Sequence, residues 1–272
     1  MATPVGNLGD ISRRALEVLG SVDAIAAEDT RVATRLLAHY GIAKRLIAVH
    51  EHNERRAVDQ VLALLGSGRS LALTCDAGTP GISDPGAVVV AAARAAGYPV
   101  TPVPGANAAI AALSVSGISA PHFLFYGFLP AKAAARRRAL AALARLPFTL
   151  VFHEAPHRVE ECIADLCAVL GGTRHLVLAR ELTKLFESVH SCTLADAQAW
   201  LASDPKRRKG EFVLIVEGAG AEEREDDGRA RRALTVLLDE LPLKQAVSLA
   251  ATIAGGKKNE LYQLALQLKG KR

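Results

Sequence analysis

Residues 75–86 read CDAGTPGISDPG, placing Asp76 and Asp84 among three glycines and two prolines. Glycine lets a backbone come close to a ligand and present its amides, and the two carboxylates accept hydrogen bonds from hydroxyl or amine groups. Phosphate is a poor fit. Neither G-x-x-x-x-G-K-[ST] nor G-x-G-x-x-G occurs in the chain, and paired carboxylates repel a pyrophosphate. The stretch therefore reads as a seat for a cationic or sugar-bearing ligand, with a plain Gly/Pro turn as the alternative. Two more glycine loops, TPVGNL at 3–8 and PGANA at 104–108, repeat the arrangement. Together the three make a pocket built from several strand ends.

The elements that must hold these loops alternate regularly. Helices are predicted from Asp10 to Gly20, 30–40, 53–65, 85–96 and after Pro104-Gly105, between strands at 22–27, 46–49, 70–74 and 100–103. That alternation implies an α/β fold with a mainly parallel sheet, whose ligands gather beyond the carboxyl ends of the strands. After residue 120 the texture changes. Strands at 122–128 and 148–152 flank an Arg-rich helix at 132–145, a helix follows at 156–170, and strands come in succession at 175–180 and 185–192 before the apolar run 212–216. Successive strands imply an antiparallel pair in a mixed sheet. The expected organisation is a first α/β domain (1–120), a second α/β domain (121–221) and, past the polar linker 222–228, a small helical domain (228–272).

The charge is unevenly placed. The 272 residues carry a net +5, but residues 228–272 hold nine Lys or Arg against three Asp or Glu. A basic tail on a near-neutral body suits a phosphate-rich partner. Helices at 244–254 and 257–268 around Gly255-Gly256 have helix-turn-helix spacing, with Lys257 and Lys258 opening the second; a simple αα-hairpin is the alternative. Arg136, Arg137 and Arg138, and Lys206, Arg207, Arg208 and Lys209, are further candidates for RNA phosphates or else solvated faces. The four cysteines lack metal or disulfide spacing and read as reduced packing thiols. With no signal peptide and no long apolar run, the expected location is the cytoplasm, without membrane or metal.

Eight motifs occur in order: TPVGNLGDIS, AAEDTR, CDAGTPGISDPG, PGANA, GFLP, FHEAPHR, LARELTK and RRKGEFVLIVEG. In this succession the chain resembles the ribosomal RNA small subunit methyltransferase I family, within the tetrapyrrole-methylase-like (class III) methyltransferases. The resemblance spans essentially the whole chain. It implies S-adenosylmethionine-dependent 2'-O-methylation of a cytidine ribose in the decoding region of 16S rRNA, on the small ribosomal subunit, by a homodimer. It also implies a cofactor cleft between the two α/β domains, lined by Gly6, Asp76, Gly78, Thr79, Asn107 and Ala108 and by the strand end at Phe152. The sequence departs from the family at Ala106-Asn107, where relatives carry Pro and Ser or Cys. It departs again at the N-terminus, where only Met1 and Ala2 precede the TP-x-GNL motif. A first strand is therefore expected to be missing, through a misassigned start or a truncated chain, leaving backbone groups unpaired on a buried neighbour.

Methyl transfer to a hydroxyl needs alignment and a way to remove one proton. The candidates to remove it are Glu28 and Asp29, Glu154, and Glu181 with Lys184; each also reads as half of an ion pair. Among the histidines, His153 and His157 stand beside Glu154. A tetrapyrrole C-methylase or a diphthamide-type protein methyltransferase would share the core but is hard to square with the basic tail. A transcription regulator would leave the glycine loops without a role.

Overall fold

The computed structural model describes residues 1–50, 52–119, 121–220, 229–254 and 258–269. In the first unit three short strands, β1 (Ala24–Ala27), β2 (Arg45–Ala48) and β3 (Leu71–Thr74), run parallel in the order β2-β1-β3. Alternation along β1 divides its side chains between two cores. Ala24 and Ala26 pack against Ala57, Val61 and Leu64 of α3 (Glu54–Gly66) and Val89 of α4 (Ala87–Ala95). Ile25 faces Leu19 of α1 (Arg13–Ser21) and Leu37 of α2 (Thr30–His39). Both faces are covered, as a parallel sheet requires. Ser12, rather than the expected Asp10, caps α1, its hydroxyl accepting from the Ala15 amide; Asp10 lies in a preceding 3-10 turn.

The expected strand at 100–103 does not form. Strand geometry needs a partner ladder, and what lies alongside is residues 1–3. Ala2 N–H donates to the Val103 carbonyl, the Met1 ammonium donates to the Leu73 carbonyl, and Thr3 exchanges both backbone hydrogen bonds with Gly78. These residues tie the N-terminal loop to CDAGTPGISDPG.

The second unit holds a five-stranded mixed sheet in the order β4-β5-β8-β6-β7: β4 (Phe123–Phe128), β5 (Thr149–Glu154), β6 (His175–Arg180), β7 (Ser188–Thr193) and β8 (Phe212–Val216). β4 and β5 are parallel; β8 runs antiparallel to β5 and β6, and β6 to β7. One face packs on α6 (Ala133–Leu143), α7 (Val159–Leu170) and α8 (Leu194–Ala202). The other receives α5 (Ala108–Val115), whose Ala109 and Ala112 allow close approach to Val151, Val177, Val213 and Ile215. Helix α5 thus belongs to this sheet by packing, although it precedes residue 120. A last group of helices, α9 (Arg229–Glu240), α10 (Leu243–Ala254) and α11 (Lys258–Lys269), shares its own core around Leu234, Ala246, Ala250 and Ala265. No helix among the described residues is long and apolar enough to cross a membrane.

Candidate functional site

A cleft of about 510 Å³ opens between the two sheets, within the range of ordinary small-molecule sites. Its first wall is made of loops. Glu28 follows β1, residues 76–79 and 82–84 follow β3, and Asn107-Ala108 begin α5. All three glycines of CDAGTPGISDPG hold positive φ, and at Gly86 (φ +130°) an added Cβ would sit 2.9 Å from Leu73 Cδ2. Residues other than glycine resist that conformation, so this loop's path depends on them. Glu54 Oε1 secures its far end by accepting from the Gly86 and Val88 amides. Thr79 Oγ1 donates to the Ala106 carbonyl, joining it to the PGANA loop. Asn107 caps α5 by accepting from the Ile110 amide. A serine in that place would cap equally well.

The second wall is made of strand ends. Because β8 runs antiparallel to β5, its first residues meet the last residues of β5: Val213 opposite His153, Phe212 opposite Glu154. These four line the cleft with Ala155, Pro156, His157, Phe128, Ala179, Leu182 and Glu211. His153 stands edge-on to Phe125 and Phe128. Its Nε2 is buried without a partner among the described residues, and burial lowers its pKa, keeping the ring neutral.

The electrostatics of the cleft are one-sided. Glu28, Asp76, Asp84, Glu154 and Glu211 line it, with no Lys or Arg among the lining residues. Burial, then the charges of Asp84, Asp76 and Asp29, raise the pKa of Glu28. Burial, then Asp76, raise that of Asp84. Glu28 Oε2 accepts from the Asp76 amide at 3.2 Å, and Asp76 Oδ1 from the Asp29 amide at 3.0 Å.

Several expected site residues lie elsewhere. Gly6 is not in the lining; Val5 is. At Gly6 the N-terminal loop presses on the second unit, where a Cβ would stand 2.8 Å from the Leu182 carbonyl and 2.9 Å from Thr183 Oγ1. The Phe152 side chain points into the core of the second unit, since alternation along β5 turns His153 toward the cleft instead. Asp29 caps α2 and pairs with Arg31, whose hydrogen bonds pull its pKa to about 2. Lys184 Nζ lies 3.0 Å from Glu181 Oε1 and 2.9 Å from Glu211 Oε2. Burial disfavours its charge, but those two hydrogen bonds outweigh it and hold its pKa above the lysine value. Glu154 is buried, 3.3 Å from Arg158 Nε.

The basic candidates also separate. Arg136 is 1% exposed, with Nε 2.6 Å from Asp165 Oδ2, so it is a core ion pair and no phosphate reaches it. Arg137 pairs with the same carboxylate from the surface, and Arg138 is exposed. Arg207 lies over the Trp200 ring and Arg208 pairs with Glu160, whereas Lys206 and Lys209 are exposed. Lys258, exposed, opens α11; Lys257 lies outside the described residues, as does the Gly255-Gly256 turn. Sequence reasoning did not single out Glu211, Ala179, Leu182 or Val213. Their signal was position: each lies at or beside a strand end that an antiparallel pairing brings to the cleft.

Comparison with known proteins adds identity to this geometry. Residues 2–198 match the family model of tetrapyrrole (corrin/porphyrin) methylases, and residues 224–269 match the model described as the RsmI C-terminal HTH domain. A protein named ribosomal RNA small subunit methyltransferase I from Escherichia coli O157:H7 is 52% identical over 268 residues, 98% of this chain and 94% of that protein. One of the same name from Pseudomonas aeruginosa is 53% identical over 273 residues, 100% of this chain and 97% of its own length. Among solved structures, the methyltransferase CobJ superposes with a TM-score of 0.59 at 19% identity, over 79% of this chain and 90% of its own. A uroporphyrin-III C-methyl transferase from Thermus thermophilus, complexed with S-adenosyl homocysteine, gives 0.55 at 17% identity, over 77% and 92%. At those identities the structures share the fold.

Proposed function

The chain belongs to the tetrapyrrole (corrin/porphyrin) methylase family and, within it, to the ribosomal RNA small subunit methyltransferase I group, and from that premise we propose that it methylates the 2'-hydroxyl of a cytidine ribose in the decoding region of 16S rRNA, acting on the small ribosomal subunit. The methyl donor is S-adenosylmethionine. It supplies an electrophilic methyl group on a positively charged sulfur. The cleft's donor set fits such a group: Glu28, Asp76 and Asp84, with no Lys or Arg among the lining residues, offset a sulfonium, and the unpartnered His153 Nε2 and the apolar strand ends offer the remaining surface. That acidic loop wall, with Glu28, Asp76 and Asp84 facing the cleft and no Lys or Arg in the lining, is the observation that carries the reading.

Within it, Asp76 and the glycine-loop amides bind the donor, while strand ends from β5 and β8 orient it. Glu28 takes the hydroxyl proton. Of the candidates it alone lines the cleft without an Arg or Lys partner and with a raised pKa, which makes its carboxylate a better base than an ordinary one. Asp29 and Lys184 are held in their charged forms by ion pairs, and Glu154 is paired with Arg158. Arg138, Lys257 and Lys258 hold RNA phosphates remote from the chemistry, and Lys206 and Lys209 hold phosphates nearer to it. The protein works in the cytoplasm and as a homodimer, the dimer supported by the exposed Phe123 and Tyr126 on the edge strand β4. The domains follow the divisions 1–120, 121–221 and 228–272, with α5 of the first packed on the sheet of the second.

The test is incubation with labelled S-adenosylmethionine and, in parallel, undermethylated small subunits, naked rRNA or a porphyrinoid. Label on the subunits at a cytidine ribose is the expected result. Label on the porphyrinoid alone, or on none of the three, would reject the proposal. Replacing Glu28 by Gln should slow transfer on the order of 100-fold while donor binding persists.

A further inference from the structure

The loop joining β6 to β7 carries Leu185, at 90% the most exposed large apolar side chain among the described residues, and beside it Phe186, 67% exposed. The loop is tightly braced. Glu181 and Thr183 hold positive φ (51° and 64°), a conformation such residues keep only when their surroundings enforce it. The Lys184 amide donates to the Glu181 carbonyl, the Glu187 amide to the Lys184 carbonyl, and the Thr183 amide to the Glu187 carboxylate. The Arg180 guanidinium then ties the tip to a second segment. It donates to the Phe186 carbonyl at 3.0 Å, to the Lys209 carbonyl at 3.0 Å and to the Lys206 carbonyl at 3.5 Å.

One guanidinium thus holds the backbone of an exposed aromatic residue beside two exposed lysines, neither of them in an ion pair among the described residues. At the base of the same loop, Leu182 and Glu211 line the cleft. An exposed aromatic ring on a segment tied to one that bears two exposed lysines matches unpaired RNA: the base stacks on the ring and adjoining phosphates meet the cations. Protein partners are a poorer match, because two exposed apolar side chains fall well short of the contiguous apolar patch such contacts bury. We propose that Phe186 is a stacking platform for an unpaired base next to the methylated nucleotide, with Lys206 and Lys209 on the neighbouring phosphates. This rests on the reading of the substrate as RNA.

The experiment measures binding of the full chain, loaded with S-adenosylmethionine, to undermethylated small subunits by filter titration at several salt concentrations. Phe186→Ala should weaken binding on the order of tenfold with the salt slope unchanged, and Phe186→Trp should restore it. Joint Lys206→Gln and Lys209→Gln replacement should reduce the slope by about 1.4, the value for two single-strand phosphates. Calorimetry with the donor and sedimentation equilibrium accompany each variant. Wild-type affinity in Phe186→Ala would overturn the proposal, as would a loss of oligomer mass, which would assign the tip to self-association. If wild-type protein labels subunits normally and Phe186→Ala binds normally, the stacking site alone fails. If wild-type protein labels no RNA, the functional reading fails and takes the stacking site with it.

Discussion

Across the cleft, a wall of loops faces a wall of strand ends, and the two treat charge in opposite ways. The loop wall carries Glu28 and Asp76, each accepting from a backbone amide, and Asp84, hydrogen-bonded to the Cys75 thiol, with no Lys or Arg in the lining beside them. Behind the strand wall, charge is buried and neutralised: Asp165 binds both Arg136 and Arg137, and Glu154 binds Arg158. Unpaired carboxylates near solvent remain available to an incoming cation, whereas paired ones are already satisfied. Recognition therefore lies with the loops, and shape with the strands.

The largest effect should come from breaking that division on the strand side. Asp165→Ala leaves the buried Arg136 with only the exposed Glu161 carboxylate at 3.5 Å, at a cost of about 3–5 kcal/mol. Chemical denaturation should show that loss, while donor affinity of the folded protein stays near wild type. Donor affinity falling in parallel would mean the two walls are not separable.

The next effect tests the loops. Gly86→Ala forces alanine to φ +130° and drives its Cβ toward Leu73, costing about 1–3 kcal/mol. Both melting temperature and donor affinity should drop, since this glycine sets the path of the loop bearing Asp76 and Asp84. An unchanged affinity would show that the loop seats independently of Gly86.

The smallest effect is one of pH. Glu28 and Asp84 have pKa values raised above their ordinary 4.5 and 3.8. A carboxyl raised in this way holds its proton more tightly in the folded chain, so its contribution to stability is full below the ordinary value and is lost as pH climbs through the folded pKa. The Glu28→Gln variant should thus gain stability relative to wild type as pH rises from about 4. A bound cation favours the ionised forms, so donor affinity should rise over the same window, less steeply in Glu28→Gln. Flat profiles for both proteins would contradict the raised values.

How much of this could be read beforehand varied with how local its cause is. The strand 212–216 was read to the residue, because five consecutive apolar residues define it without help from elsewhere. The strand expected at 100–103 failed because strandhood depends on a neighbour, and residues 1–3 supply a single ladder hydrogen bond there. Asp76, Gly78, Thr79, Asn107 and Ala108 line the cleft because they follow directly from strand ends and a helix start. Phe152 missed it by one residue, the unit of alternation in a strand. Arg136 could have been excluded: it shares a helical face with Leu140 and Leu143, so it belongs to the buried stripe that Arg137 and Arg138 leave. The β6–β7 loop was beyond sequence reading, because its shape depends on Arg180 reaching a segment 26 residues away.

The account turns on Asp76, which is exposed, lines the loop wall and has no cationic partner in the cleft. Calorimetric titration of S-adenosylmethionine into wild-type and Asp76→Ala protein tests it most directly. Loss of a charge-assisted hydrogen bond, about 1.5–3 kcal/mol, predicts an affinity at least tenfold weaker with the melting temperature nearly unchanged. Full affinity in Asp76→Ala would contradict the assignment of that wall to the donor.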